Sequence, residues 1–117
     1  MSLQIELEHH RRTLIARLRG ELDHHTADKV KTMLEDAILR GDVHHVVLSM
    51  KGLTFMDSSG LGVVLGRYKQ IANKGGKLVV CEVHPSIYRL FEMSGLFKIL
   101  TVEPSEQDAL SRLEVVS

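Results

Sequence analysis

This 117-residue chain has no tryptophan, one cysteine, two prolines and only 4% aromatic residues. A single thiol cannot form an internal disulfide, so nothing points to an oxidising compartment. The shortage of aromatics removes a stacking platform for unpaired bases. Charge of one sign is missing too, because 15 Lys and Arg balance 15 Asp and Glu. That balance argues against nucleic acid as the main partner, against a polybasic membrane anchor and against an acidic disordered tail. No apolar run approaches the ~20 residues that span a bilayer. Met1-Ser2-Leu3-Gln4 does not open like a secretory leader. The expectation is a small cytoplasmic domain spanning residues 1–117, and 44% hydrophobic content is enough for one compact core.

Catalytic and cofactor motifs are absent as well. There is no GxGxxG after a strand and no GxxxxGK[ST] loop. Asn73-Lys74-Gly75-Gly76-Lys77 lies between a helix end and a strand start, where a plain C-cap turn belongs. No GxSxG elbow exists, since Ser58 and Ser59 follow Met56-Asp57. Six of the seven histidines form adjacent pairs, His9-His10, His24-His25 and His44-His45. Neighbours on a strand point to opposite faces, so such a pair cannot jointly grip one ion. They read as turn and surface histidines, and Cys81 as an inert core residue. No cofactor or metal is expected.

What is present is an alternation of strands and helices. Leu3, Ile5 and Leu7 alternate with polar residues, and the alternation resumes from Thr13 to Arg19 after a polar turn at His9 to Arg12. A hairpin is expected there. Asp23 or Thr26 can cap a first helix that carries Ala27, Val30, Met33, Leu34, Ala37 and Ile38 on one stripe and stops at Arg40-Gly41. Val43 to Met50 is apolar on both parities, as a strand covered on two faces should be. A second helix follows Lys51 to Asp57, with Leu61, Val64, Leu65, Tyr68, Ile71 and Ala72 inward. Leu78 to Val83 is another buried strand. His84-Pro85 opens a third helix that Gly95 closes, Phe97 to Val102 is a last strand, and a C-terminal helix starts at Pro104-Ser105. The order β-β-α-β-α-β-α-β-α predicts an α/β domain. Its sheet should be mixed but mostly parallel, with about five strands, an antiparallel edge hairpin and about four helices. Loops at the strand C-termini then gather on one rim, bringing Glu21–Thr26 beside Thr54–Gly60.

Phe55-Met56-Asp57-Ser58-Ser59-Gly60-Leu61-Gly62 is the unusual stretch. Asp57 and Ser58 suit a helix N-cap, which explains them without any function. Two features go beyond a cap. Gly60, Gly62 and Gly66 fall within the first half of the helix, where glycine costs up to ~1 kcal/mol each relative to alanine. Gly62 and Gly66 lie away from the apolar stripe, where another backbone could approach, with Arg67 and Gln70 near the same edge. A serine hydroxyl at a helix N-terminus also sits where unpaired N–H groups favour an added anion. Phosphorylation there leaves the helix comfortable but places nearly two negative charges in a docked contact, beside Asp57 and Asp23.

These residues resemble the STAS family, specifically the anti-sigma factor antagonists that act in sporulation in spore-forming bacilli. The likeness is carried by Gly20-Glu21-Leu22-Asp23-His24-His25-Thr26-Ala27, by Phe55 to Gly62 with Val63 to Ile71, and by Phe91-Glu92-Met93-Ser94-Gly95-Leu96-Phe97-Lys98-Ile99. It implies a STAS-like fold and a non-catalytic binding protein. Unphosphorylated, such a protein docks on an anti-sigma factor that is itself a serine kinase of the GHKL ATPase fold, and displaces the sigma factor. Phosphorylation at Ser58 would then inactivate it, and a PP2C-type phosphatase would restore it. Asp23, His24, Asp57, Ser58, Ser59, Gly62, Gly66 and Arg67 would form the docking surface. An enzyme reading of the same rim takes Ser58 as nucleophile with His24 or His25 as base, but no oxyanion loop accompanies it. A third reading, a STAS module of a larger transporter or signalling complex, fits less well with two ends that look native.

Overall fold

The computed structural model describes residues 2–116, with side chains through Glu114. The N-terminal alternation becomes a hairpin. β1 (Leu3–His10) pairs antiparallel with β2 (Thr13–Leu22), from Leu3 opposite Gly20 to His10 opposite Thr13. The remaining pairs are parallel: β2 with β3 (His45–Met56), β3 with β4 (Leu78–Cys81), and β4 with β5 (Thr101–Glu103). Spatial order follows chain order, β1-β2-β3-β4-β5.

That order dictates the layers. Three crossovers step across the sheet in the same direction, and each is expected to be right-handed. Their helices α1 (Ala27–Arg40), α2 (Ser58–Ala72) and α3 (Pro85–Ser94) must therefore share one face. α4 (Glu106–Val116) leads to no further strand and is free to cover the other. Side-chain parity agrees. Val46, Leu48, Met50, Leu78 and Val80 pack with the three-helix layer, while Ile15, Val47, Val79 and Cys81 pack with Ala109 and Leu113 of α4. Burial, with Glu82 and Glu106 nearby, pushes the Cys81 thiol up to about 12, so it stays protonated at neutral pH.

Arg17 ties α4 to the hairpin. Its Nε and Nη2 donate to the two Glu106 oxygens at 2.9 and 2.6 Å, and Nη1 reaches Glu6 at 2.8 Å and Glu8 at 2.9 Å. The hydrogen bonds from Arg17 hold the Glu106 carboxyl below its usual range.

Several expected boundaries move. β3 does not stop at Met50 but continues to Met56, because Leu53 and Met56 are still buried and pair beside Gly20 and Leu22. β3 carries an extra residue opposite Arg17–Arg19 and another opposite Gly20–Glu21, and these bulges hide its continuation from a period-two pattern. β4 ends at Cys81 rather than Val83, where Glu82 takes φ 57° and its carboxylate accepts from the first N–H of α4, on Glu106. The last strand shrinks to Thr101–Glu103, since Leu96–Lys98 winds into a 3-10 turn behind Gly95 at φ 79°. Not all histidines are superficial. His45 is buried, and its Nδ1 accepts from the Lys77 N–H at 3.0 Å.

Candidate functional site

The rim at the C-terminal ends of β2 and β3 holds the two segments together. The first is a tight turn organised by Asp23 and Thr26. Asp23 Oδ1 accepts from the backbone N–H of His25 at 2.9 Å and of Thr26 at 3.1 Å. The Thr26 hydroxyl accepts from Asp23 N–H at 3.0 Å and donates to Glu21 O at 2.8 Å. Burial pushes the Asp23 carboxyl up, but these hydrogen bonds outweigh it and hold the group below its usual range. Asp23 is thus an internal brace, only 5% exposed.

The second segment is the start of α2. Asp57 is its N-cap, with Oδ1 accepting from Ser59 N–H at 2.9 Å. The other oxygen, Oδ2, accepts from His24 N–H at 3.2 Å and lies 3.7 Å from His24 Nδ1. One carboxylate therefore caps the helix and fastens the neighbouring loop. Ser58, the first residue of the helix, is exposed, and its hydroxyl makes no hydrogen bond among the described residues. Ser59 is half-buried. His24 and His25 lie against each other, ring centroids 3.9 Å apart, and neither is hydrogen-bonded to Ser58.

The three glycines have different reasons. A Cβ on Gly60 would stand 2.5 Å from Met56 Cγ and 3.0 Å from Leu22 Cγ, so the helix settles onto the strand ends only with glycine there. Gly62 and Gly66 face open space, with nothing within 4 Å of where a Cβ would stand. They are free for close approach, as their spacing suggests.

Arg67 departs from expectation. α2 packs against both the sheet and α1, so its buried stripe is Gly60, Val63, Val64, Arg67 and Ile71, while Leu61, Leu65 and Tyr68 are half-buried and Ala72 is exposed. The Arg67 side chain is 6% exposed. Its Nε donates to Gln70 Oε1 at 3.0 Å, and Nη2 lies 3.5 Å from Glu35 Oε2 on α1. Burial lowers its pKa, against the opposing pull of Glu35. Nη1 is buried with no acceptor among the described residues.

Two features escape the sequence reading. Phe55 is 47% exposed three residues before Ser58, an aromatic surface beside the rim. Its place in the run Leu53-Thr54-Phe55-Met56 carries no signal that it faces outward. The second is a cleft between α1 and α2 to which Asp28 and Lys31 contribute. No helix of the described residues is long and apolar enough to cross a membrane.

Comparison with known proteins agrees with this geometry. The model of the STAS domain matches residues 4–109. The anti-sigma F factor antagonist of Paenibacillus polymyxa is 60% identical over 117 residues, covering 100% of both chains. That of Lysinibacillus sphaericus is 34% identical over 97% of this chain and 95% of its own. Among solved structures, the anti-sigma factor antagonist SpoIIAA in its unphosphorylated form superposes with a TM-score of 0.76 at 30% identity, over 95% of this chain and 98% of that one. With its five-stranded mixed sheet, its Asp57-capped rim and full-length likeness to these relatives, the chain belongs to the STAS domain family, among the anti-sigma factor antagonists.

Proposed function

We propose that the chain is a phosphorylation-switched binding protein. Unphosphorylated, it docks through the Ser58 rim and the open glycine face of α2 onto an anti-sigma factor serine kinase and releases the sigma factor. The kinase then transfers the γ-phosphoryl group of ATP to Ser58 Oγ, the hydroxyl loses its proton, and ADP is left. A PP2C-type phosphatase hydrolyses the ester and restores the docking form. The protein itself catalyses nothing in this cycle.

One observation carries the reading. The Ser58 hydroxyl is exposed and unpartnered at the first position of α2, while Asp57 already supplies the cap. Adding a phosphate there breaks no hydrogen bond of the fold. The N-terminal end of the helix favours the new charge. A docked surface does not, because a group of nearly −2 charge enters a contact already carrying Asp57. The relative SpoIIAA, solved in a phosphorylated form at 34% identity and a TM-score of 0.74, supports the same cycle.

The test mixes the purified chain with the anti-sigma F factor of Paenibacillus polymyxa and ATP, followed by mass spectrometry. One phosphate mapped to Ser58 is expected, and Ser58→Ala should bind without being labelled. A phosphate placed elsewhere, or equal binding by the phosphorylated chain, would overturn the reading.

A further inference from the structure

The two rim segments are short of positive charge. Glu21–Thr26 and Thr54–Gly60 hold three carboxylates, Glu21, Asp23 and Asp57, and no lysine or arginine. Within them only His24 and His25 can become cations. The cleft alongside has no cation to spare, since it carries Asp28 as well as Lys31, and Glu35 holds Arg67. A phosphate on Ser58 therefore brings nearly two negative charges to a rim whose own countercharge is a histidine.

The two imidazoles are not equivalent. The His24 side chain is 69% exposed, and its Nδ1 lies 3.7 Å from Asp57 Oδ2, across the rim and one residue from Ser58. It also borders the cleft that Ser59 lines. His25 serves its own loop, where its N–H binds Asp23 Oδ1 and its charge acts on that carboxyl. The loop is fastened to Asp57 by the His24 backbone N–H, a bond that does not need the ring. Beyond its contact with the His25 ring, the His24 side chain has no structural duty.

We infer that the imidazolium of His24 pairs with the phosphate of phosphorylated Ser58. A dianion beside Asp57 draws the ring more strongly than a single carboxylate whose other oxygen already accepts from Ser59 N–H. The inference rests on the phosphorylation reading above and adds how the rim answers the new charge. Ring and phosphate close over the start of α2, the surface through which the unphosphorylated chain docks. The pair is complete only with a protonated ring and a dianionic phosphate, so mild acid and mild base both loosen it. His24 is thus a positioning residue of the phosphorylated state.

For the experiment, phosphoserine is installed at position 58 by codon suppression, so no kinase has to recognise the variants. Phosphorus NMR then follows the second ionisation of the phosphate, ordinarily at about pH 6. With His24 present its midpoint should lie about 0.5 pH unit below that of His24→Gln, because a neighbouring cation favours the dianion. His24→Lys supplies a permanent charge and should restore the lower midpoint. His25→Gln should stay within about 0.1 pH unit of the unsubstituted phosphorylated chain. Equal midpoints with His24 and with His24→Gln would overturn the pairing. So would His24→Lys behaving like His24→Gln, or His25→Gln acting as strongly as His24→Gln. The phosphorylation reading is judged apart from this, by mass spectrometry after mixing with the kinase. A phosphate mapped away from Ser58 removes that reading, and the role of the pair with it.

Discussion

Asp57 and His24, 33 residues apart in sequence, are joined by a hydrogen bond of 3.2 Å from the His24 backbone N–H to Asp57 Oδ2. The same carboxylate caps α2 through Ser59. The two loops of the rim are therefore fastened to each other, and Ser58, the proposed phospho-acceptor, sits beside the link. Asp57→Ala should cost about 1 kcal/mol, the usual loss for an N-cap. It should also speed hydrogen exchange at His24 N–H, measured by NMR. Unchanged exchange at His24 would mean the loops are held independently.

The glycines of α2 should separate stability from docking. Gly62→Ala and Gly66→Ala meet open space, so each should raise stability by about 0.5–1 kcal/mol through helix propensity. Gly60→Ala must displace Met56 and Leu22, an overpacking cost of about 1–3 kcal/mol that propensity only partly offsets. Urea unfolding of the three variants checks the opposite signs. Gly66→Leu should remain folded but lose binding to the anti-sigma factor.

His45 should make the fold acid-sensitive. Burial lowers its pKa below the ordinary 6.5, with His44, Arg12 and Lys77 adding to the shift. The unfolded chain then binds the proton more readily than the folded one, so stability falls as pH drops through 6.5 and towards the folded-state value. His45→Gln keeps an acceptor for Lys77 N–H and removes the titration. The melting temperature of the variant should therefore change less between neutral and mildly acidic buffer than that of wild type.

Arg17 should matter to α4 more than to the rim. Its hydrogen bonds to Glu106 are bidentate but partly open to solvent, with side chains 29% and 26% exposed. Arg17→Met should cost about 1 kcal/mol after screening. Glu106, held below its usual range, contributes above the ordinary 4.5 and loses that contribution as pH falls through its folded value. Amide exchange should rise in α4 and stay level in α2.

Much of the architecture was legible because it follows from local chemistry. The two-parity apolar run around Val46 to Met50 marks a strand covered on both faces, and Val46 and Leu48 indeed pack with one helix layer while Val47 packs with α4 on the other. Gly95 ends α3 in the left-handed conformation that glycine tolerates. The end of β3 was not legible, because bulges shift its register against β2 and spoil the alternation that marks a strand. Phe97-Lys98 reads in sequence as the start of the last strand, because so short a stretch has no period long enough to tell a 3-10 turn from a strand.

At the site, the chain by itself determined the helix start at Asp57-Ser58, the excess of glycine behind it and the balance of 15 Lys and Arg against 15 Asp and Glu. Those are properties of residue type and short spacing. The tertiary structure alone decided which polar groups face out. Asp23 is consumed by its own turn and Arg67 is drawn in against Glu35, although both belong to polar residue types that mostly stay at the surface. Burial depends on which element packs alongside, and α1 lies beside α2 only because the crossovers all turn the same way.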